Sequence, residues 1–293
     1  MKKYLYNLFS KLGFKIENKK KEINKRLLYL SKYEVVFNKE LLLKGYDIIR
    51  SFENKFSDIK IKDEKEGLLF SFNEISIYIE SYEEFFILNE IFYLNEYNFY
   101  TNQKAIVIDI GTNIGIATLF FSKLENVDKI YSYEPVLETF NQALFNFKNN
   151  SNKVVEFNNF GLGNSDRKEV FYFNKYAKGN TGLRGSLSTS FVESLVQEKV
   201  VKIVKASNEI RKIIDQNLEY KVVLKIDCEG GEYEIFGDLE KNNILKDIDI
   251  IMMEWHDKGA IELEEILSKN KFVFFSKILN SNTGMIYATK TQI

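Results

Sequence analysis

Ala105-Ile-Val-Ile-Asp-Ile-Gly-Thr-Asn-Ile-Gly-Ile-Ala117 is the stretch on which the reading of this chain turns. Ile106 to Ile110 form an apolar, β-branched run that predicts a buried strand. A glycine turn follows, and then an apolar helix. Gly111 and Gly115 allow the backbone to approach a ligand, and the first turn of the new helix offers unpaired N–H groups. A dinucleotide loop would read G-x-G-x-x-G and hold a pyrophosphate on the helix dipole. This loop reads D-x-G-x-N-x-G instead, with Asp109 closing the strand. A carboxylate there repels phosphate and suits a cationic sulfonium such as S-adenosylmethionine (SAM).

A single glycine turn between strand and helix is weak evidence, and the following segment strengthens it. Lys129-Ile-Tyr-Ser-Tyr-Glu134 reads as a second strand ending in an acid. That acid falls about twenty residues beyond the loop, the spacing at which such folds set a carboxylate against ribose hydroxyls. Glu134 is therefore expected to bind ribose; the alternative is an acid stabilised by a helix N-terminus. Pro135, the only proline, opens a helix over 136–149, which suits proline at a first helical position.

From Ala105 onward strands and helices alternate, the pattern of a mostly parallel sheet. Strands are expected at 106–110, 129–133, 154–158, 169–173, 199–204, 221–226 and 248–253. A closing pair is expected at 272–276 and 285–289. Upstream, Gly67 to Ile79 alternates as a hairpin around Asn73-Glu74. Tyr82 to Asn95 presents a wide apolar helical face. Residues 1–66 read as a helical N-terminal extension and 67–293 as the main domain. The polar segment 175–190 carries Gly179, Gly182 and Gly185 and reads as a loop.

With 293 residues, 45% of them hydrophobic, the chain can bury a full core. A net charge of −1 with interspersed signs argues against nucleic acid as a partner. One cysteine, Cys228, excludes an internal disulfide and suggests a reducing compartment. Tyr4-Leu-Tyr-Asn-Leu-Phe9 is too short for a signal peptide, and no run has the length of a membrane span. A cytoplasmic protein is the expectation.

Chemistry-bearing side chains collect at two strand ends, Asp227-Cys-Glu-Gly-Gly-Glu232 and Glu254-Trp-His256. Ligands in open α/β sheets sit outside the carboxyl ends of the strands. Asp109, Asp227, Glu254 and His256 should therefore converge beside Gly111. Residues two apart share a face, which aligns Glu254 with His256 and Lys225 with Asp227. His256, the only histidine, has two readings. It is a general base for an acceptor hydroxyl, or it joins Asp227 and Glu254 in holding a divalent metal. Gathering acids around one imidazole is costly without a cation. Oxygen and imidazole donors favour Fe²⁺ or Mn²⁺, with Mg²⁺ also compatible. The plainer role for Asp227 is a cap of the helix starting near Gly231, which is compatible with holding a metal. Glu229 and Glu232 read as acids favoured by that helix dipole, and Cys228 as a packing residue. Arg184 either clamps an anionic group of the acceptor or is solvated.

Taken together, Asp109-Ile-Gly-Thr-Asn-Ile-Gly, Tyr133-Glu-Pro with Phe140 and Asn146 behind it, Gly161-Leu-Gly, Leu224-Lys-Ile-Asp-Cys-Glu-Gly-Gly-Glu-Tyr-Glu and Glu254-Trp-His resemble the FkbM-type SAM-dependent methyltransferases. The likeness runs from about residue 70 to the end. It implies a Rossmann-like class I methyltransferase fold, a seven-stranded sheet whose last strand is antiparallel. It implies O-methylation of a sugar or polyketide hydroxyl, including surface (capsular or lipopolysaccharide) polysaccharide precursors. SAM contacts carried over by position are Asp109, Gly111, Asn113, Gly115, Glu134 and Asn159. The second glycine of Gly230-Gly231 is often alanine in the family. Residues 1–66 have no counterpart there and could pair subunits into a homodimer or cap the acceptor site. With a nucleotide-linked sugar as acceptor, catalysis would rest on His256, Asp227 and Lys225. The competing readings are a nicotinamide-dependent oxidoreductase and a silent SAM- or sugar-binding subunit.

Overall fold

A computed structural model describes residues 19–148, 150, 153–181 and 196–291. Arg184, Gly182, Gly185 and the segment Tyr4–Phe9 lie outside the described residues.

Among the described residues three helices come first: α1 (Lys19–Leu30), α2 (Lys39–Lys44) and α3 (Tyr46–Lys55). A three-stranded antiparallel sheet follows, β1 (Lys60–Glu64), β2 (Gly67–Phe72) and β3 (Ile75–Ile79). The expected hairpin turns at Asn73 and Glu74, both with positive φ, as a tight two-residue connection requires. β1 pairs with β2, so residues 60–64 are strand rather than helix, and the 66/67 boundary falls between two hydrogen-bonded strands. Helix α4 (Tyr82–Leu88) is capped by Ser81, whose hydroxyl accepts from the Glu84 N–H. It runs on as a π-helical turn over Asn89–Tyr93.

The main sheet has seven strands: β4 (Ala105–Ile110), β5 (Val127–Tyr133), β6 (Val154–Asn158), β10 (Lys221–Ile226), β11 (Ile250–His256), β12 (Phe272–Ile278) and β13 (Thr283–Lys290). Their spatial order is β12-β13-β11-β10-β4-β5-β6. Neighbours from β11 to β6 run parallel, and β13 is antiparallel to both its neighbours. This is the expected Rossmann-like α/β sheet with its last strand reversed. Segments 169–173 and 199–204 do not join it. They belong to β8 (Arg167–Phe173) and β9 (Gln197–Lys205), which with β7 (Gly161–Gly163) form a separate three-stranded sheet.

Every residue of β4 is buried, as a central parallel strand covered on both faces demands. Alternation divides it: Ala105 and Val107 join the core beneath α5 (Ile116–Lys123) and the N-terminal elements, while Ile106, Ile108 and Ile110 join the other core. That second core packs against α7 (Ala206–Asp215), α8 (Glu232–Lys241) and α9 (Ile261–Lys269). Helix α6 (Leu137–Lys148) begins two residues after Pro135. The N-terminal elements share the first core with the main sheet, where Phe52, Phe70, Phe72 and Phe92 stack edge to face.

Candidate active site

The loop between β4 and α5 is a left-handed turn. Gly111, Asn113 and Gly115 all have positive φ, at 81°, 53° and 84°. Gly111 and Thr112 donate their N–H groups to the Tyr133 carbonyl at 3.1 and 3.0 Å, which locks the loop to the end of β5. A Cβ on Gly111 would fall 1.7 Å from the Asp227 carbonyl oxygen. Glycine is thus required at 111 by conformation and by space, and the loop lies in direct contact with the end of β10.

Glu134 ends β5 and is buried. One carboxylate oxygen accepts from the Asn113 N–H at 3.0 Å and the other from the Val136 N–H at 2.9 Å. Burial pushes its pKa up to about 7 against the pull of those two bonds and of Lys225, with Asp109 adding to the rise. Asn159 donates its amide to the carbonyls of Glu134 and Pro135. It supports this turn from behind.

Asp109 lies beneath the loop and not in the cleft. It shares a face with Ala105 and Val107, and α5 covers that face. Thr118 of α5 donates to its Oδ2 at 2.6 Å, and the Lys225 ammonium stands 3.2 Å from Oδ1. Lys225 is opposite Asp109 in the β4–β10 register, so the contact follows from strand alignment. Its Nζ also donates to the Gly111 carbonyl at 2.6 Å and lies 3.7 Å from Asp227 Oδ2. Because Lys225 offsets the Asp109 charge, rejection of phosphate cannot be credited to Asp109 alone. The acidity of the cleft comes from other residues.

The cleft outside these strand ends has a volume of about 340 Å³. Gly111, Asn113, Glu134, Lys225, Asp227 and Glu254 line it, joined by Glu90, Glu96 and Tyr97 from the α4 side. Burial raises Glu90 to about 7, with Glu96 and Asp227 adding their charge. The Tyr97 hydroxyl donates to Asp227 Oδ2 at 3.1 Å. Asp227 does not cap α8, whose N-terminal boundary residue is Gly231.

Asp227 and Glu254 of the cleft wall and the buried His256 beside them each offer one ligand atom, and these atoms lie within 4.8 Å of one another. His256 is 3% exposed. Its Nε2 stands 3.6 Å from Glu229 and 3.7 Å from Glu254. Its Nδ1 is hydrogen-bonded to Glu232, which is wholly buried in the first turn of α8. Burial opposes the imidazolium, but the Glu232 bond and the Glu229 charge outweigh it and carry His256 up to about 10. Burial and the Asp227 charge hold Glu254 well above the ordinary carboxylate range. Glu232 thus belongs to the site, where sequence reasoning assigned it only a dipole role. The visible signal was its place in the Asp-x-Glu-Gly-x-Glu run. Tyr97, Glu90 and Glu96 lie some 130 residues from Asp227, and no local pattern marks them. Cys228 lines the cleft, and burial raises its thiol further, which agrees with a packing role.

A glycine loop after the first strand, an acid at the end of the second and a reversed last strand together define a SAM-dependent methyltransferase of the class I fold. The chain belongs to the FkbM methyltransferase family: residues 109–274, more than half its length, match the Methyltransferase FkbM domain. It is 25% identical over 178 residues to Methyltransferase 1 of Beauveria bassiana (strain ARSEF 2860), covering 57% of this chain and 71% of that one. Among solved structures it is similar to a protein in the NADB-Rossmann superfamily from Streptococcus agalactiae (12% identity, TM-score 0.37), with 66% of this chain aligned and 65% of the other's length spanned. It is also similar to the SAM-bound magnesium protoporphyrin IX methyltransferase of Synechocystis PCC 6803 (9% identity, TM-score 0.37, 70% and 76% covered). A third is the precorrin-6y C5,15-methyltransferase of Geobacter metallireducens GS-15 (11% identity, TM-score 0.38, 69% and 89% covered). Among the described residues no helix is long and apolar enough to cross a membrane.

Proposed function

We propose that this protein moves the methyl group of SAM to a sugar hydroxyl, with a nucleotide-activated sugar for surface polysaccharide as the acceptor class and a cytoplasmic site of action. In this reading Asp227, Glu254 and His256 hold a divalent metal, Fe²⁺ or Mn²⁺ before Mg²⁺. The observation that carries the metal is the Glu232 bond to His256 Nδ1. Metal-ligating histidines commonly give their second ring nitrogen to a carboxylate, which fixes the ring and leaves the other nitrogen free for the ion. Here Nε2 faces Glu229 and Glu254, at 3.6 and 3.7 Å, and His256 and Glu254 share a cluster with Asp227; a metal there would take the place of the Nε2 proton. A metal at these residues would lower the pKa of an acceptor hydroxyl.

SAM supplies an electrophilic methyl carbon on a sulfonium. Glu134 accepts from the ribose hydroxyls, and the Gly111–Gly115 loop holds the amino-acid end. The acceptor oxygen attacks the methyl carbon, the carbon–sulfur bond breaks to leave S-adenosylhomocysteine, and the hydroxyl proton passes to the Asp227 oxygen that is not engaged as a ligand, with Tyr97 orienting the carboxylate. Lys225 is a positioning residue that ties the Gly111 carbonyl to Asp109. Much of the acceleration comes from alignment of the two reactants. Glu90, Glu96 and Glu254 line this end of the cleft and offer hydrogen-bonding partners to the hydroxyls of a sugar ring.

The test is a mass-spectrometric screen of nucleotide sugars with SAM, run with Mn²⁺, with Fe²⁺ and in excess chelator. A gain of one CH₂ that chelator abolishes and metal restores supports the reading. Full turnover in chelator would remove the metal. No product from any sugar, with SAM binding intact, would remove the acceptor class. His256→Ala should keep SAM binding and lose turnover.

A further inference from the structure

Across the cleft from Asp227, the segment following β8 carries a lysine that neither the fold nor the chemistry above accounts for. Lys178 is 5% exposed and lines the cleft wall. Its ammonium meets three acceptors, each from a different place: Glu80 at 2.5 Å, Glu84 at 3.1 Å and the Gln142 amide oxygen. Glu80 follows β3, Glu84 is a wholly buried residue of α4, and Gln142 lies on α6. A buried charge is tolerated only when every donor and acceptor around it is matched. Glu84 Oε2 accepts from the Glu80 N–H and from the Gln142 amide, which leaves Oε1 with the Lys178 ammonium as its counter-charge.

This network continues to the cofactor loop. One turn along α6 from Gln142, Asn146 accepts from the Tyr78 N–H at 2.7 Å and donates to the Ile114 carbonyl at 3.0 Å. Beside Lys178, the Gly179 N–H donates to Glu83 at 3.0 Å. A Cβ at Gly179 would lie 3.5 Å from the Asn113 side-chain amide. The strap Asn174–Thr181 thus lies against Asn113 on one side while α6 holds Ile114 on the other. It is internally braced, since Ala177 N–H donates to the Asn174 carbonyl and Thr181 N–H to the Lys178 carbonyl.

We propose that Lys178 is a positioning residue for cofactor binding, fastening the strap over the Gly111–Gly115 loop so that Asn113 and its neighbours are preset for SAM. Its ammonium is engaged by Glu80, Glu84 and Gln142, and its effect passes through the strap and α6.

Binding of S-adenosylhomocysteine by calorimetry, read beside the melting temperature, tests this. Lys178→Met alone strands Glu84 and should lower both stability and affinity. Lys178→Met combined with Glu84→Gln removes both buried charges at near-constant volume. It should recover most of the melting temperature, yet bind the cofactor product at least about tenfold more weakly, through lost preorganisation of the loop. Lys178→Arg should restore part of the affinity. Affinity within about twofold of the parent in a folded double variant would overturn the proposal, because a purely structural lysine moves stability alone. If neither variant folds, hydrogen exchange on the parent protein decides. Slowed exchange of the Gly179 and Thr181 amides on adding S-adenosylhomocysteine supports the strap, and unchanged exchange refutes it.

Discussion

Cofactor affinity should depend on pH through one buried carboxyl, Glu134. Its oxygens are held by the Asn113 and Val136 N–H groups, and burial sets its pKa at about 7, above the ordinary value of 4.5. Ribose hydroxyls donate, so they need the ionised form. If only that form binds, the ionised share falls from roughly nine-tenths at about pH 8 to roughly one-tenth at about pH 6, a loss of about tenfold in affinity or ~1.4 kcal/mol. The sign for the ligand-free fold is opposite. A group whose folded pKa is raised binds protons more tightly when folded. Ionising it therefore costs stability progressively between pH 4.5 and about 7. Acid thus eases the ligand-free protein while weakening the complex, and the rise in melting temperature on adding S-adenosylhomocysteine should shrink as pH falls. Calorimetric titration across this range, on the parent and on Glu134→Gln, measures the effect. The variant should bind about 10–100-fold more weakly near pH 8, because hydrogen bonds to a charged acceptor contribute about 1.5–3 kcal/mol. It should also lose the slope. Flat affinity in the parent, or an equal slope in the variant, would refute the ribose assignment, since Glu90 titrates in the same range and would then be the group observed.

Three further outcomes follow from the geometry. Gly111→Ala should abolish cofactor binding and lower stability by at least ~1–3 kcal/mol, because its Cβ would collide with the Asp227 carbonyl and its φ is +81°; binding and melting measurements check both. Glu232→Gln should leave S-adenosylhomocysteine affinity within about twofold while methyl transfer falls about 10–100-fold, the usual range for losing the carboxylate behind a ligating histidine. An equal fall in cofactor affinity would instead place Glu232 in the cofactor pocket. Asn146→Ala should cost about 1–3 kcal/mol in chemical denaturation, since the buried Tyr78 N–H loses its acceptor. It should also weaken cofactor binding through the freed Ile114 carbonyl.

Much of this molecule is written locally. The β-branched run into Gly111, the acid before the only proline and the alternation from Ala105 onward specify strand, turn and helix within short windows, where backbone sterics and side-chain period act directly. The hairpin at Asn73-Glu74 and the closing pair near the end of the chain followed from the same signals, and the reversal of the last strand from the family resemblance. The convergence of Asp227, Glu254 and His256 was also legible, because parallel strands bring their carboxyl ends to one edge.

What only the tertiary structure decided is which face of each strand met which neighbour. Asp109 looks like a cofactor contact in the sequence, yet period-two alternation sets it under α5 against Thr118 and Lys225. Glu232 looks like an acid favoured by a helix dipole, yet α8 turns it inward onto His256. Segments 169–173 and 199–204 carry strand-forming residues but pair with each other, since strand propensity does not name a partner. Tyr97 and Lys178 reach the cleft from distant parts of the chain. A local pattern fixes an element and its apolar face; the burial of a charge is fixed by the groups that arrive to pair with it, and those come from the packing of the whole fold.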